Sequence, residues 1–223
     1  MFDEFQALLQ TNAWTLVPSS GVTNLIGCKW VFCTKKLSDG SVERYKARLV
    51  AKGFHQQEAI QLFEESIKGM QIEYIEIEQL PMLNTDLEGH GTFPPTVETF
   101  CQKIKEADCV LFASPKYNFS LAAPLKNAID HWGSRPPNAW ADKAAAIIST
   151  GGNGGGERAQ YHLRQVGVFL DLHFINKPLF CLSAFEPPAK FDKDGNLINA
   201  EAKEKLKEVL LALHSFTLRL RGK

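Results

Sequence analysis

The 223-residue sequence predicts an α/β fold on a doubly wound parallel sheet. Three observations carry that reading. From about residue 60 onward, strand-like and helix-like segments alternate, the pattern of a parallel sheet with helices on both faces. Residues 109–113 are an unbroken apolar run and 144–149, apolar as far as Ser149, a second, as strands buried on both faces require. The second run opens directly into Gly151-Gly152-Asn153-Gly154-Gly155-Gly156, five glycines in six residues.

Taken in order, Phe5, Leu8 and Leu9 have helical spacing. Pro18, Ser19, Ser20 and Gly21 then signal a loop. Residues 28–34 alternate in strand fashion, 38–41 (Ser-Asp-Gly-Ser) are a hairpin turn signal, and 45–50 read as the returning strand. A lone hairpin is marginal in water and needs something to pack on. The main alternation follows: a strand over 70–77, a helix opening at Thr96 and running to Ala107, and the buried strand 109–113. A helix over 121–132, the buried strand 144–149 and a helix over 157–170 come next. A strand over 178–182 and a terminal amphipathic helix over 200–220 complete the chain.

Composition narrows the function classes. A chain of 24.9 kDa buries about 70% of its unfolded surface and builds a core without staples. Lys+Arg and Asp+Glu are both 25, which argues against a nucleic-acid-binding chain, usually basic. The charge is uneven, however, with 7 Lys/Arg against 4 Asp/Glu in residues 1–57. A solvated basic hairpin accounts for that excess better than a nucleic-acid surface. Five cysteines with no recurring spacing argue against a disulfide framework and for a reducing compartment. Cys28 and Cys33 have no second Cys/His pair at zinc spacing, so no metal site is expected. No apolar run reaches the ~18 residues that span a bilayer, and the N-terminus does not resemble a signal peptide. A cytoplasmic protein without membrane partners is expected.

Ligands of such sheets bind beyond the carboxyl ends of the strands. Two loops lie there, Ser114-Pro115-Lys116-Tyr117-Asn118 and the run from Ser149-Thr150 into the glycines. Glycines let backbone N–H groups approach a ligand closely, and Tyr117 offers a wall for a flat ring. The competing reading is a flexible turn and a packed tyrosine. The glycine run lacks the Gly-Lys-Ser/Thr ending of a P-loop, which excludes that type of nucleoside-triphosphate site. Tyr161 and Arg164, one turn apart, face either a ligand or solvent. His162, His173 and His214 read as structural. Asp192-Lys193-Asp194-Gly195-Asn196 reads as a plain turn, not a calcium loop. No nucleophile elbow and no Cys–His pair is present.

Several stretches together resemble the plant NAD(P)H:quinone oxidoreductases of the NADPH-dependent FMN reductase family. They are Ala113-Ser114-Pro115-Lys116-Tyr117-Asn118, Ala123-Pro124-Leu125-Lys126-Asn127-Ala128-Ile129-Asp130, Ser134-Arg135-Pro136, Ile148-Ser149-Thr150-Gly151-Gly152 and Gln160-Tyr161-His162-Leu163-Arg164-Gln165. The resemblance covers residues from about 59 to the end, which sets a flavodoxin-like domain over 58–223. It implies FMN held noncovalently, hydride taken from NAD(P)H, and a quinone reduced by two electrons. It also implies a dimer or tetramer with the flavin near a subunit interface. The cofactor site it implies is Pro115, Lys116, Tyr117, Asn118, Thr150, Gly151, Gly152, Asn153 and Gly155. The flavin does the chemistry, so no catalytic acid or base is expected to be indispensable. Lys116 stands where that family usually has Glu, and 130–133 reads as one residue longer than the family pattern.

Residues 1–57 resemble a different family. Trp14-Thr15-Leu16-Val17-Pro18, Gly27-Cys28-Lys29-Trp30-Val31-Phe32 and the stretch 39–54 are similar to the start of a copia-type retrotransposon reverse transcriptase. No Tyr-x-Asp-Asp occurs, so polymerase chemistry is not expected. Residues 58–68 read as the tail of the reductase family's first helix. The family's first strand and its phosphate-gripping loop are thus expected to be replaced by the N-terminal hairpin segment. That strand is central in a flavodoxin-like sheet. The strand 45–50 is the expected substitute, although Lys46 and Arg48 suit a central strand poorly. Impaired FMN binding follows from this reading. The alternative is a non-catalytic chimera that keeps the fold and dimerises with an intact reductase.

Overall fold

The computed structural model describes residues 30–36, 42–48, 70–87, 93–131, 138–192 and 196–222. The expected helix near residue 5, Cys28, the turn at 38–41 and the segment 58–68 lie outside them.

The strands are β1 Trp30–Lys36, β2 Val42–Arg48, β3 Met70–Ile72, β4 Tyr74–Ile75, β5 Cys109–Pro115, β6 Ala144–Gly151, β7 His173–Phe174 and β8 Phe180–Ser183. The helices are α1 Pro95–Glu106, α2 Ala123–Asp130, α3 Glu157–Phe169 and α4 Ala200–Leu220. All eight strands form one sheet in the order β3-β2-β1-β5-β6-β7, with β4 on β1 and β8 on β6. β5 and β6 run parallel in unbroken register from Cys109↔Ala144 to Pro115↔Thr150. β7 and β8 line the far edge of β6 in succession, at Ala144–Ala145 and then at 148–151.

Period-two alternation along β5 and β6 divides the core. Cys109, Leu111, Ala113, Ala144, Ala146 and Ile148 face α4, which supplies Leu206, Val209, Leu210 and Leu213. Val110, Phe112, Ala145 and Ile147 face the other way, against Phe100 and Ile104 of α1, Leu125 and Ile129 of α2, and Leu163 of α3. Phe112 stacks on Trp140 at 6.1 Å and meets Phe174 at 5.8 Å. Both faces of the sheet are therefore covered, as the buried apolar runs required.

The hairpin enters the sheet differently from expectation. The gap between β3 and β5 takes both hairpin strands, not one. β2 lies parallel beside β3 (Tyr45↔Met70 to Ala47↔Ile72) and antiparallel to β1. β1, not the 45–50 segment, meets β5, antiparallel and at the one pair Val31↔Leu111. A tight hairpin joins its strands antiparallel, so one of the two must oppose a parallel sheet.

Other differences are local. The strand expected over 70–77 is two short pieces, because the chain leaves β2 after Ile72 and pairs with β1 at Tyr74–Ile75. α2 begins at Ala123, later than expected, with Pro124 in its first turn where a missing N–H costs nothing. β8 starts at Phe180, two residues later than expected. α4 is capped by Asn199, whose Oδ1 accepts from the Ala202 N–H. Among the described residues, no helix is long and apolar enough to cross a membrane.

Candidate functional site

The carboxyl edge of β5 and β6 carries both expected loops. β5 ends at the buried Pro115, paired with Thr150 of β6. Beyond it, Tyr117 and Ser120 exchange both backbone hydrogen bonds, at 3.0 and 2.7 Å. The two residues between, Asn118 (φ 44) and Phe119 (φ 65), both sit in the left-handed region. Asn tolerates that region through local hydrogen bonding, whereas a bulky Phe there costs about 1–2 kcal/mol. Strain of this kind persists only where the surroundings enforce it.

The glycine loop is pinned from below. Gly155 (φ 55) passes so close to β8 that a Cβ would lie 2.4 Å from the Cys181 carbonyl carbon. At Gly156 (φ 91) a Cβ would press on the Ser149 side chain at 2.8 Å. Ser149 Oγ donates to Gly155 O at 2.8 Å and accepts from Gln160 Nε2 at 2.9 Å. The buried Gln160 amide also donates to Phe180 O at 2.8 Å, which ties α3, β6 and β8 together under the loop. Burial pushes the neighbouring Cys181 thiol above its ordinary value, so that thiol stays protonated at neutral pH. The lower half of the glycine run is therefore fixed packing, not a flexible turn.

Its upper half is open. A Cβ at Gly152 meets nothing within 4 Å. Among the described residues, the backbone N–H groups of Asn118, Phe119, Gly152 and Asn153 have no protein acceptor. Four donors thus remain unpaired on one sheet edge, a cradle suited to carbonyl oxygens and ring nitrogens. The exposed Tyr117 stands beside them.

Lys116 joins the loops. Its N–H donates to Thr150 O at 3.1 Å, and its Nζ donates to Asn153 O at 2.8 Å. Its side chain covers Gly151, whose O accepts from the Ala184 N–H. Thr150 Oγ1 donates to Leu182 O at 3.1 Å, so its proton is spent on β8 and only lone pairs remain for a ligand. All nine expected cofactor residues thus lie on one edge of the sheet, with Pro115, Thr150 and Gly155 shaping the backbone beneath the rest.

The lesser candidates separate. Arg164 donates to Ile175 O at 2.9 Å and lies over the Phe174 ring at 5.3 Å, so it braces β7 instead of facing the loops. Burial lowers its pKa first of all, as for any guanidinium packed against protein. Tyr161 is exposed and donates to Glu157 at 2.7 Å, a bond that raises its pKa. His173 meets Asp142 at 3.2 Å, away from the loops. His162 Nδ1 lies 2.9 Å from Ser120 Oγ and adds a second link between α3 and the β5 loop. Asp192 accepts from the Asn196 N–H and side chain; the residues between them lie outside the described ones.

Sequence reasoning missed Phe119 and Arg158. The Arg158 guanidinium lies 4.1 Å from the Phe119 ring centroid, and Lys116 Nζ lies 5.6 Å from it. The available signal was the turn: Asn118 one residue after Tyr117 marks a left-handed corner that aims the next side chain back over α3.

Known proteins match this geometry. The profile of NADPH-dependent FMN reductase matches residues 37–186. An NADPH:quinone oxidoreductase of Arabidopsis thaliana is 69% identical over 165 residues, 74% of this chain and 84% of that protein. An NAD(P)H:quinone oxidoreductase of Solanum tuberosum is 64% identical over the same shares. Among solved structures, the flavoenzyme NAD(P)H:(acceptor) oxidoreductase FerB of Paracoccus denitrificans is similar with a TM-score of 0.59 and 25% identity. That match covers 73% of this chain and 87% of FerB. With its sheet, its two edge loops and its sequence all agreeing, the chain belongs to the NADPH-dependent FMN reductase family.

Proposed function

We propose that this chain is an FMN-dependent NAD(P)H:quinone oxidoreductase with a weakened hold on its cofactor. The observation that carries the activity is the set of unpaired N–H donors at Asn118, Phe119, Gly152 and Asn153, beside an open Gly152. That edge fits the carbonyl and ring-nitrogen acceptors of an isoalloxazine. Pro115, Lys116, Tyr117, Asn118, Thr150, Gly151, Gly152, Asn153 and Gly155 would hold it. FMN held there would supply the redox chemistry, hydride transfer from NAD(P)H and two-electron reduction of a quinone. The protein's part is to place N–H donors, keep Lys116 anchored on Asn153, and offer Tyr117 as a wall. No side chain is required to act as acid or base.

The weakened hold rests on strand direction. A phosphate loop of the family's kind follows a central strand that runs parallel to β5, so it opens on the site edge. β1, which takes the place beside β5, runs antiparallel to it, so the chain leaving it departs from the opposite edge; β2 does run parallel to β5 but stands one strand further from the site. The first 57 residues are in this reading a fragment of retrotransposon reverse-transcriptase ancestry that displaced the native strand and loop. The protein acts in the cytoplasm as a dimer or tetramer, without nucleic acid.

A second reading keeps the fold and not the chemistry: a non-catalytic chimera that pairs with an intact reductase. The same reversed β1 favours it, together with Val168 and Phe169 at the end of α3, 80% and 70% exposed. The two readings separate on a visible spectrum of the purified chain after incubation with excess FMN and desalting. Retained flavin absorbance that NADPH bleaches under anaerobic conditions supports the reductase. A folded chain without flavin supports the chimera.

A further inference from the structure

Three side chains stand at the mouth of the site, and of these only Lys116 is also counted in the flavin cradle. Phe119 is 55% exposed and holds a left-handed backbone that a bulky residue disfavours. Its ring carries two cations, the Arg158 guanidinium at 4.1 Å and the Lys116 ammonium at 5.6 Å. Neither cation meets a carboxylate among the described residues. The adjacent acid, Glu157, accepts the Tyr161 hydroxyl. Lys116 spends one proton on Asn153 O and keeps two. A guanidinium held over an aromatic ring has its N–H fork restrained, pre-organised for bidentate phosphate contact. Two converging cations on one strained ring, without an acid to neutralise them, are arranged for an external anion.

We propose that Lys116, Phe119 and Arg158 form a phosphate grip for the nicotinamide dinucleotide reductant. The ring orients the arginine, Asn153 orients the lysine, and the two hold the dinucleotide's phosphates at the edge of the cradle. The assignment rests on the reductase reading for the identity of its ligand. A flavin phosphate is the other anion with the same chemistry, and the test separates the two.

The test is calorimetric titration of the FMN-incubated full chain with NADP+ at low and moderate salt, with FMN affinity measured in parallel by fluorescence quenching. Arg158→Gln weakens NADP+ binding about tenfold, and Lys116→Gln with Arg158→Gln weakens it about a hundredfold and flattens its salt dependence. Arg158→Lys restores part of the loss by keeping the charge. Phe119→Gly relieves the left-handed backbone, so thermal stability holds or rises while NADP+ affinity falls about threefold; a merely structural ring would not separate the two. NADP+ affinity indifferent to Arg158, or no NADP+ binding by the parent chain, overturns the grip. A larger loss of FMN than of NADP+ affinity in Arg158→Gln places the flavin phosphate there and also overturns it. A flavin-free chain that still binds NADP+ through Arg158 keeps the grip and removes the reductase reading. Retained, bleachable flavin with no Arg158 dependence does the reverse.

Discussion

The two halves of the sheet are built by different rules. From β5 onward the strands run parallel, β5 is buried along its whole length, and its register with β6 is unbroken. On the other side, β1 meets β5 at the one pair Val31↔Leu111 and runs the wrong way for the family's central strand. Every expected cofactor residue lies on the first half. The comparison teaches that a doubly wound sheet can keep its carboxyl-edge loops when the strand beside β5 runs antiparallel to it. The contacts that brace those loops, Phe112 on Trp140 and Gln160 on β8, lie within 93–222.

The strongest test of that asymmetry is proline in each half. Ala146→Pro, in the middle of β6, removes a ladder bond in a strand buried on both faces and should abolish folding in a circular dichroism melt. Val31→Pro disturbs its pairings with Leu111 of β5 and Tyr74 of β4, outside the parallel half, and should cost about 1–2 kcal/mol in urea denaturation. Equal losses would make the hairpin integral to the core and break the comparison.

Next in size are the two ends of the glycine run. Gly155→Ala forces a Cβ against β8 backbone at positive φ and should cost about 3–5 kcal/mol. Gly152→Ala meets open space and should stay within about 0.5 kcal/mol of the parent, yet lower FMN affinity roughly tenfold. Unchanged FMN affinity in Gly152→Ala would remove the cradle from that loop.

The effect confined to alkaline solution is one of pH and reports on the base of β5. Burial raises the Cys109 thiol from 9.0 to about 12. The unfolded chain therefore releases this proton first, and stability present below pH 9 is lost as pH rises toward 12. The loss approaches about 1.4 kcal/mol per pH unit above 9. Cys109→Ala should flatten that part of the denaturation-versus-pH curve. An unchanged curve would mean that Cys109 is not sealed in the core.

Much of this was readable in the sequence, for definite reasons. The apolar runs at 109–113 and 144–149 can only be strands buried twice, and both are. Five glycines after the second run pointed to a close backbone approach to a ligand; the one that Gly155 makes is to β8 instead. What escaped depends on pairings between distant segments. β7 is two residues long and carries no periodicity; Arg164, read as a possible ligand contact, is what holds Ile175 beside it. The hairpin's two strands were legible, but strand order was not, because a hairpin sequence is the same whichever of its strands meets β5. Phe119 drew no notice because a cation over a ring requires knowing that α3 returns past the β5 loop.

The central claim is that the ring-binding edge survives while the phosphate grip of the family is lost. Dissociation constants of the chain for FMN and for riboflavin, measured side by side by fluorescence quenching, test it most directly. The account predicts that both flavins bind and that their constants agree within about threefold, because nothing discriminates the phosphate. FMN binding tighter than riboflavin by about a hundredfold or more would contradict it, and would mean that the N-terminal segment grips the phosphate after all.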